Sequence, residues 1–214
     1  MTLQLFAEEA LSPLHFEKLA LKNGYAAVAG IDEAGRGPLA GPVVAAAVIL
    51  PPVHDLPGLT DSKKLSARKR DELFPLIRCQ ARAIGLGIVH AEEIDTINIL
   101  KATIRAMTLA VNRLRFPPDY LLIDGITPLP QNIPQLTLKK GDSRSLSIAA
   151  ASVVAKVVRD RMMIAYDRRF PGYGFAGHKG YGSAAHMETI ARLGPSPIHR
   201  RTFAGVREHV VVYE

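Results

Sequence analysis

Apolar runs of strand length mark the first half of the chain. Residues 26–31, 42–50 and 82–89 are rich in Ala, Val and Ile and are bounded by turn residues, which is typical of buried β-strands. Shorter apolar runs at residues 120–123 and 135–138 predict two more strands. Short connections among the first three strands favour an antiparallel meander. The two later strands alternate with helices, which favours parallel additions to the same sheet.

Helical periodicity accounts for most of the remaining chain. Apolar residues spaced three and four apart predict helices at residues 14–21, 66–80, 91–96, 99–114, 144–170 and 183–193. The Gly-rich and aromatic stretch at residues 172–182 is predicted to be a loop. Together these elements predict an α/β fold: a mixed five-stranded sheet flanked by helices, with a helical C-terminal part.

Composition narrows the class of protein. The 214 residues are 48% hydrophobic and 22% charged, as in ordinary globular domains. No apolar run has the length of about 18 residues that would suggest a membrane span, and the first residues do not form a secretory signal. The single Cys79 excludes an internal disulfide and a zinc site of several thiolates. These features, with no heptad pattern, predict a monomeric cytoplasmic protein.

The positive charge is concentrated in one part of the chain. Residues 139–201 contain 12 basic and 4 acidic residues, and the net charge of +8 that they carry exceeds the +7 of the whole chain. A basic region of this kind favours a polyanionic partner such as nucleic acid. A solvated basic face that improves solubility explains the charge equally well.

Glycine and histidine patterns exclude several other sites. The glycines at residues 35–41 have the wrong spacing for a dinucleotide fingerprint, and a strand rather than a helix follows them. The sequence contains neither a P-loop nor the His-Glu-x-x-His pattern of zinc hydrolases. A dinucleotide-dependent enzyme and a zinc hydrolase therefore have little support from the sequence.

Carboxylates occur where predicted strands end. Asp32 and Glu33 close the first strand, Asp124 closes the fourth, and Asp142 directly precedes the long helix. Strand ends of one sheet form a common rim, and converging carboxylates repel each other unless a cation joins them, which favours Mg²⁺ or Mn²⁺. Neighbouring strand residues point to opposite faces, so Asp32 and Glu33 are expected to share a site only if the backbone kinks. Asp32 and Asp142 are explained equally by roles as turn or helix-cap residues.

Seven blocks of the sequence resemble the bacterial ribonuclease HII family, the type 2 ribonucleases H. In chain order they read AGIDEAGRGPLAGPVV, TDSKKLS, NILKAT, LLIDG, KKGDSRSLSIAAASVVAKVVRDR, GYGFAGHKGYGS and HRRTF. The resemblance implies a ribonuclease H-like fold. It also implies a type 2 ribonuclease H domain at residues 25–207, a tail with a short helix at residues 1–24 and a C-terminal tail at residues 208–214.

The resemblance also implies an activity. Members of the family hydrolyse the RNA strand of RNA–DNA hybrids and incise 5′ to single ribonucleotides embedded in duplex DNA. Two metal ions, Mn²⁺ or Mg²⁺, take part, and the products carry 3′-hydroxyl and 5′-phosphate ends. The four acidic metal-binding positions of the family correspond to Asp32, Glu33, Asp124 and Asp142.

Substrate-contacting positions follow from the same resemblance. Gly35, Arg36 and Gly37 correspond to the segment that reads the 2′-hydroxyl, and Tyr181 corresponds to the tyrosine that stacks under the sugar at the RNA–DNA junction. Residues 61–64, which include Ser62 and Lys63, look like a loop for backbone phosphates. Further positive charge comes from Lys156, Arg159, His178 and Lys179, although exposed positions of an amphipathic helix explain the first two equally well.

Two alternatives and one further partner stay open. A DNA-structure nuclease of the same fold and a nucleic-acid-binding module without catalysis are the competing functions. Residues 2–6, Thr-Leu-Gln-Leu-Phe, are similar to peptides that dock on the bacterial sliding clamp. The other interpretation of Leu3, Leu5 and Phe6 is that they pack back onto the domain.

Overall fold

A computed structural model describes residues 12–210 of the chain. Its five strands are β1 (Val28–Ala34), β2 (Val43–Ile49), β3 (Ala83–Val89), β4 (Tyr120–Asp124) and β5 (Gln135–Leu138). They form one sheet in the order β3-β2-β1-β4-β5. The pairs β1–β2 and β2–β3 are antiparallel, whereas β1–β4 and β4–β5 are parallel. The predicted meander with parallel additions is confirmed.

The helices also follow the predicted order. They are α1 (His15–Lys22), α2 (Ala67–Gln80), α3 (Ala91–Ile97), α4 (Ile99–Asn112), α5 (Leu146–Arg169), α6 (Phe175–His178) and α7 (Ala184–Leu193). The hydroxyls of Ser66, Ser145 and Ser183 accept hydrogen bonds from backbone N–H groups in the first turns of α2, α5 and α7. Helix α6 is a single turn within the stretch predicted to be a loop. None of the helices between residues 12 and 210 has the length and apolar character needed to cross a membrane.

Hydrophobic clusters cover both faces of the sheet. Ile31 and Ile123 pack on the face that carries α4, whereas Ala46 and Val48 pack on the face that carries α5. Helix α5 lies directly against β1, because Gly30 has no side chain and a Cβ there would overlap the backbone of Ser147. This close approach places the first half of α5 beside the C-terminal ends of β1 and β4.

Candidate active site

The register of the sheet sets Asp32 and Asp124 side by side. The parallel pairing of β1 with β4 aligns Ile31 with Ile123, and the two aspartates are the next residue on each strand. Paired residues of parallel strands point to the same face, and neighbouring strands are about 4.8 Å apart. Asp32 and Gly30 lie two residues apart on one face of β1, so both aspartates lie on the side of α5.

The Asp32 carboxyl is held in an environment that disfavours its charge. It is buried, and burial, then the charge of Glu33, then that of Asp124 raise its pKa well above the usual value. The nearby Ser152 hydroxyl on α5 and the Glu33 N–H, which donates to Asp32 Oδ1 at 2.7 Å, oppose this shift. Sequence reasoning missed Ser152, because a serine within an Ala- and Val-rich helix gives no sign of what it faces.

Glu33 joins this rim without a break in the strand. The antiparallel register of β1 with β2 continues through Asp32, Glu33 and Ala34, so the predicted strand end at residue 31 is wrong, and the kink named as the condition for a shared site is absent. Burial raises the pKa of Glu33, the guanidinium of Arg36 lowers it, and the charge of Asp124 raises it again. The Glu33 carboxylate lies 3.5 Å from the Arg36 guanidinium, and the charge of Asp124 at the end of β4 also acts on it.

Asp142 approaches the same rim from a different element. It lies in the 3₁₀ turn Gly141–Ser143 before α5, and the Gly141 N–H donates to Asp124 Oδ1 at 2.6 Å. Burial, then the charge of Asp124, then Asp61 raise the pKa of Asp142 to about 6. Asp61 was not predicted as a site residue, although it belongs to the Asp-Ser-Lys-Lys segment that the sequence had singled out.

The charge of Asp124 therefore acts on the other three predicted carboxylates, but the four are not arranged as the coordination shell of a metal ion. Among residues 12–210, no three His, Cys, Asp or Glu side chains are arranged closely enough to hold a metal ion. Their chemistry nevertheless fits a hard divalent cation, since all are oxygen donors and Asp32, Glu33 and Asp142 have raised pKa values.

Lys63 supplies positive charge at this rim. Burial alone would lower its pKa, but the charges of Asp32, Asp142 and nearby carboxylates outweigh burial and raise it. Its neighbour Ser62 is buried, and the Ser62 hydroxyl lies 2.6 Å from that of Ser152. The Ser62 side chain thus lies behind Asp32, whereas Lys63 and Lys64 carry the positive charge of this loop.

A buried arginine holds the glycine turn that follows β1. The Arg200 side chain is fully buried and donates to the carbonyl oxygens of Gly35, Arg36 and Gly41. Burial, then the charge of nearby Arg159, lower the pKa of Arg200 to about 9. The buried guanidinium of Arg200 therefore holds the turn through its carbonyl groups.

Arg159 anchors the same segment from α5. It is fully buried and donates to the carbonyl oxygens of Pro42, Ala40 and Lys179, at 3.0 to 3.1 Å. A Cβ on Gly35, whose φ is +98°, would overlap the Arg159 side chain, so the turn requires glycine at this position.

The other basic residues predicted to face a polyanion differ in their surroundings. The prediction for Arg159 is wrong, because its guanidinium is enclosed by backbone carbonyls. Lys156 pairs with Asp160 at 2.7 Å. Lys179 has a left-handed backbone and donates to a carbonyl of α6, and His178 packs among other aromatic rings. A positive residue in the sequence therefore does not by itself identify a surface for phosphates.

Tyr181 lies beside the glycine turn and presents its ring outward. Tyr181 is 47% exposed, so its ring is accessible to a substrate. A Cβ on Gly37 would lie 3.8 Å from the Tyr181 ring, and the Arg159 guanidinium lies 6.0 Å from the ring centroid. The Leu39 N–H donates to the Gly180 carbonyl at 2.8 Å and joins the two segments. The turn and the tyrosine form one surface next to the carboxylates.

His199, buried behind Tyr181, makes stability depend on pH. Burial, then the charge of His186, lower its pKa to about 4 from the ordinary 6.5. The unfolded chain therefore binds a proton between these pH values that the folded protein does not, so stability falls as pH falls through this range. We expect this histidine to cost up to about 3 kcal/mol between pH 7 and pH 4. Urea unfolding of the wild type and of His199→Phe will measure it: the variant is expected to lose less stability on acidification, and equal losses would contradict the assignment.

Comparison with known proteins places the chain in a family. A sequence model of the family Ribonuclease HII matches residues 29–206. Ribonuclease HII of Syntrophotalea carbinolica is 67% identical over 208 residues, 97% of this chain and 100% of that protein. Ribonuclease HII of Geobacter metallireducens is also 67% identical, over 91% of this chain and 92% of that protein.

Solved structures of similar fold include archaeal and bacterial enzymes. Ribonuclease H2 of Pyrococcus horikoshii superposes with a TM-score of 0.69 at 28% identity and covers 85% of this chain and 95% of that one. RNase HII of Archaeoglobus fulgidus, solved as a PCNA:RNase HII complex, also superposes with a TM-score of 0.69 at 28% identity, over 83% and 95% of the two chains. Bst-RNase HIII in complex with Mn²⁺ gives the same TM-score at 20% identity, which shows the fold alone.

The mixed sheet, its acidic rim and these neighbours define a protein of the ribonuclease H fold. The chain belongs to the ribonuclease HII family. The protein is therefore an endoribonuclease, a hydrolase that acts on RNA–DNA hybrids.

Proposed function

We propose that this endoribonuclease incises 5′ to single ribonucleotides in duplex DNA, as well as within the RNA strand of hybrids, and leaves 3′-hydroxyl and 5′-phosphate ends. The observation that carries the proposal is the common surface of the Gly35–Gly37 turn and Tyr181 next to the acidic rim. A 2′-hydroxyl distinguishes a ribonucleotide from its deoxy neighbour, and glycine lets the backbone approach that hydroxyl closely. Tyr181 would pack under the following sugar, where a second hydroxyl would collide with the ring.

The acidic residues would hold divalent cations. Asp32, Glu33, Asp124 and Asp142 supply hard oxygen donors, and the raised pKa values of three of them indicate that an added positive charge would be strongly favoured. When bound, two such cations would activate the attacking water and stabilise the leaving oxygen of the phosphodiester. Mn²⁺ in the Bst-RNase HIII structure and the oxygen donors here support Mn²⁺ or Mg²⁺.

The remaining residues of the site would position the substrate. Lys63 lies close enough to the carboxylates for their charges to raise its pKa, and it would contact the phosphate backbone. Arg36 pairs with Glu33 and would connect the glycine turn to the acidic rim. Arg159 and Arg200 would not touch substrate, but they hold the carbonyl groups of the turn in place. A monomer acting in the cytoplasm stays a prediction.

A panel of end-labelled duplexes tests the proposal. An all-DNA duplex, an RNA–DNA hybrid and a DNA duplex with one ribonucleotide are incubated with Mg²⁺, Mn²⁺ or EDTA. We expect cutting of the two substrates that contain RNA, with either metal ion but not with EDTA. Tight binding without cutting would instead favour the non-catalytic binding module, and cutting of the all-DNA duplex would favour the DNA-structure nuclease.

A sliding-clamp partner is a second proposal. The Archaeoglobus fulgidus neighbour was solved with PCNA, which is a sliding clamp, and residues 2–6 of this chain are similar to bacterial clamp-binding peptides. These residues lie outside the part of the chain that the structure describes. We expect deletion of residues 1–8 to abolish retention on immobilised clamp while hybrid cutting is unchanged. Retention of the truncated protein at the wild-type level would refute the clamp interaction.

A further inference from the structure

A chain of hydrogen bonds runs from the C-terminal segment to the backbone of Tyr181. The His199 Nδ1 lies 2.9 Å from the Ser196 backbone nitrogen. The Nε2 atoms of His199 and His186 are 3.0 Å apart, and His186 Nδ1 lies 2.8 Å from the Tyr181 carbonyl oxygen. Both rings are buried, with at most 1% of either residue exposed. Neither histidine is hydrogen-bonded to a carboxylate of the acidic rim, so a role at that rim does not explain these hydrogen bonds.

The partners at the two ends determine the proton positions on both rings. The Tyr181 carbonyl can only accept, so His186 Nδ1 carries the proton and donates to it. Neutral His186 then accepts at Nε2, which requires a proton on His199 Nε2. His199 Nδ1 is consequently free to accept from the Ser196 N–H, as the 2.9 Å distance indicates. In these neutral tautomers every ring nitrogen has a partner of the correct kind, and the Ser196 hydroxyl, 2.8 Å from His199 Nδ1, is able to donate to that nitrogen as well.

Aromatic packing prevents the rings from turning. The Phe175 ring meets His186 and His199 with centroids 5.6 and 5.5 Å apart, and the His178 ring stacks on His186 at 4.1 Å. His178 is itself fixed, because Nε2 lies 2.7 Å from the Tyr173 carbonyl oxygen and the Gly180 N–H donates to Nδ1. The direction of the hydrogen bond that reaches Tyr181 is therefore determined by packing as well as by proton positions.

Hydrogen bonds restrain the backbone of Tyr181, whereas its ring is exposed. Its N–H donates to the His178 carbonyl, and its carbonyl accepts from both the Ser183 N–H and His186. The neighbouring Gly180 carbonyl accepts from Leu39 in the segment that follows the glycine turn. The hydrogen bond from His186 is the contact through which a buried side chain acts on the peptide group of Tyr181.

We propose that His186 and His199 are positioning residues whose directional hydrogen bonds hold the Tyr181 peptide group and thereby aim its ring at the sugar beside the RNA–DNA junction. The proposal rests on the junction-sensing role of Tyr181 given above. Loss of the hydrogen bond to the Tyr181 carbonyl would leave the acidic rim intact, since no carboxylate of the rim takes part in this series of hydrogen bonds. The defect would thus appear as lost discrimination between substrates rather than as a general loss of cutting.

Two amide substitutions at His186 separate positioning from packing. His186→Asn keeps a donor near the place of Nδ1 and is able to donate to Tyr181, whereas His186→Gln keeps a polar group near the place of Nε2 and loses that donor. For each variant, kcat and KM are measured on a single-ribonucleotide duplex and on an uninterrupted hybrid. We expect His186→Gln to lower the ratio of the two kcat/KM values by about tenfold, because small misplacements of a positioning group have effects of this order. His186→Asn is expected to keep the ratio within about threefold of the wild type.

The controls make each outcome decisive. The exposed His90→Gln should change neither substrate, and thermal unfolding should show that each variant is folded. If His186→Gln fails to fold, His199→Phe, which keeps a ring but removes the donor to His186, is expected to show the same loss of ratio. Equal losses on both substrates, or equal behaviour of the Asn and Gln variants, would overturn the proposal. Tyr181→Ala identifies the alternative failure: if it leaves the ratio unchanged, the junction-sensing role itself is wrong.

Discussion

Asp124→Asn is expected to abolish cutting of RNA–DNA hybrids while the protein stays folded and still binds them. A metal ion contributes several kcal/mol to stabilising a phosphoryl transition state, so loss of a ligand shared by the site should lower kcat by about a thousandfold or more. Asparagine keeps the oxygen that accepts from the Gly141 N–H, which preserves the local backbone. Steady-state cleavage and a binding titration in the presence of metal ions measure the two effects separately.

The same substitution has a distinct effect on stability. Asp124 raises the pKa values of Asp32, Glu33 and Asp142, so the metal-free protein holds mutually repelling carboxylates. Removing one charge relieves this repulsion, and the variant is expected to unfold in urea at a concentration no lower than the wild type. Exposed Asp55→Asn is the matched control and should leave cutting unchanged. Unfolding of Asp124→Asn would show that the residue is structural, and full activity would show that it holds no metal ion.

Arg200→Met is expected to destabilise the protein and to lower cutting together. Methionine fills much of the same space but leaves the carbonyl oxygens of Gly35, Arg36 and Gly41 without their buried donor. Each unsatisfied buried acceptor costs about 1–3 kcal/mol, and removal of a buried charge offsets part of the total, so we expect a net loss of about 3 kcal/mol. Urea unfolding measures the stability, and kcat/KM on the hybrid measures the effect of a displaced turn.

Arg201→Met provides the comparison for this prediction. Arg201 is the next residue along the chain and is exposed, so the same change of side chain there should have little effect on stability. Arg200→Lys keeps the charge but loses the planar fork that reaches several carbonyls, and it should fall between the wild type and Arg200→Met. Wild-type stability and activity for Arg200→Met would contradict the anchoring role.

The predictable part of the fold comes from local patterns. Three strands were recognisable from β-branched runs between turn residues, and Gln135–Leu138 was predicted with its observed bounds. The helices predicted to start at residues 66 and 183 do so because the hydroxyls of Ser66 and Ser183 accept hydrogen bonds from their first turns. These signals depend on residues that are neighbours in sequence, which explains why the order of elements could be predicted.

The unpredicted features depend on contacts between distant segments. The first strand continues to Ala34 because β2 pairs with it beyond the end of β4. Arg159 and Arg200 are buried because loops from elsewhere in the chain surround them with carbonyl oxygens, whereas arginine in a sequence suggests a surface position.

The acidic site shows the same division. The positions of Asp32 and Asp124 at the ends of apolar runs predicted a shared rim, and the sheet register brings them together. The effects of Ser152 on Asp32 and of Asp61 on Asp142 arise only when α5 and the loop before α2 are folded against that rim.

The position of the cut in a duplex with one ribonucleotide tests the central claim most directly. End-labelled product is compared on a sequencing gel with markers that differ by one nucleotide, in Mg²⁺ and in EDTA. We predict a single metal-dependent cut on the 5′ side of the ribonucleotide, with a 3′-hydroxyl on one product and a 5′-phosphate on the other. A cut elsewhere, or cutting of long hybrids alone, would contradict the reading of the junction by Gly35, Arg36, Gly37 and Tyr181.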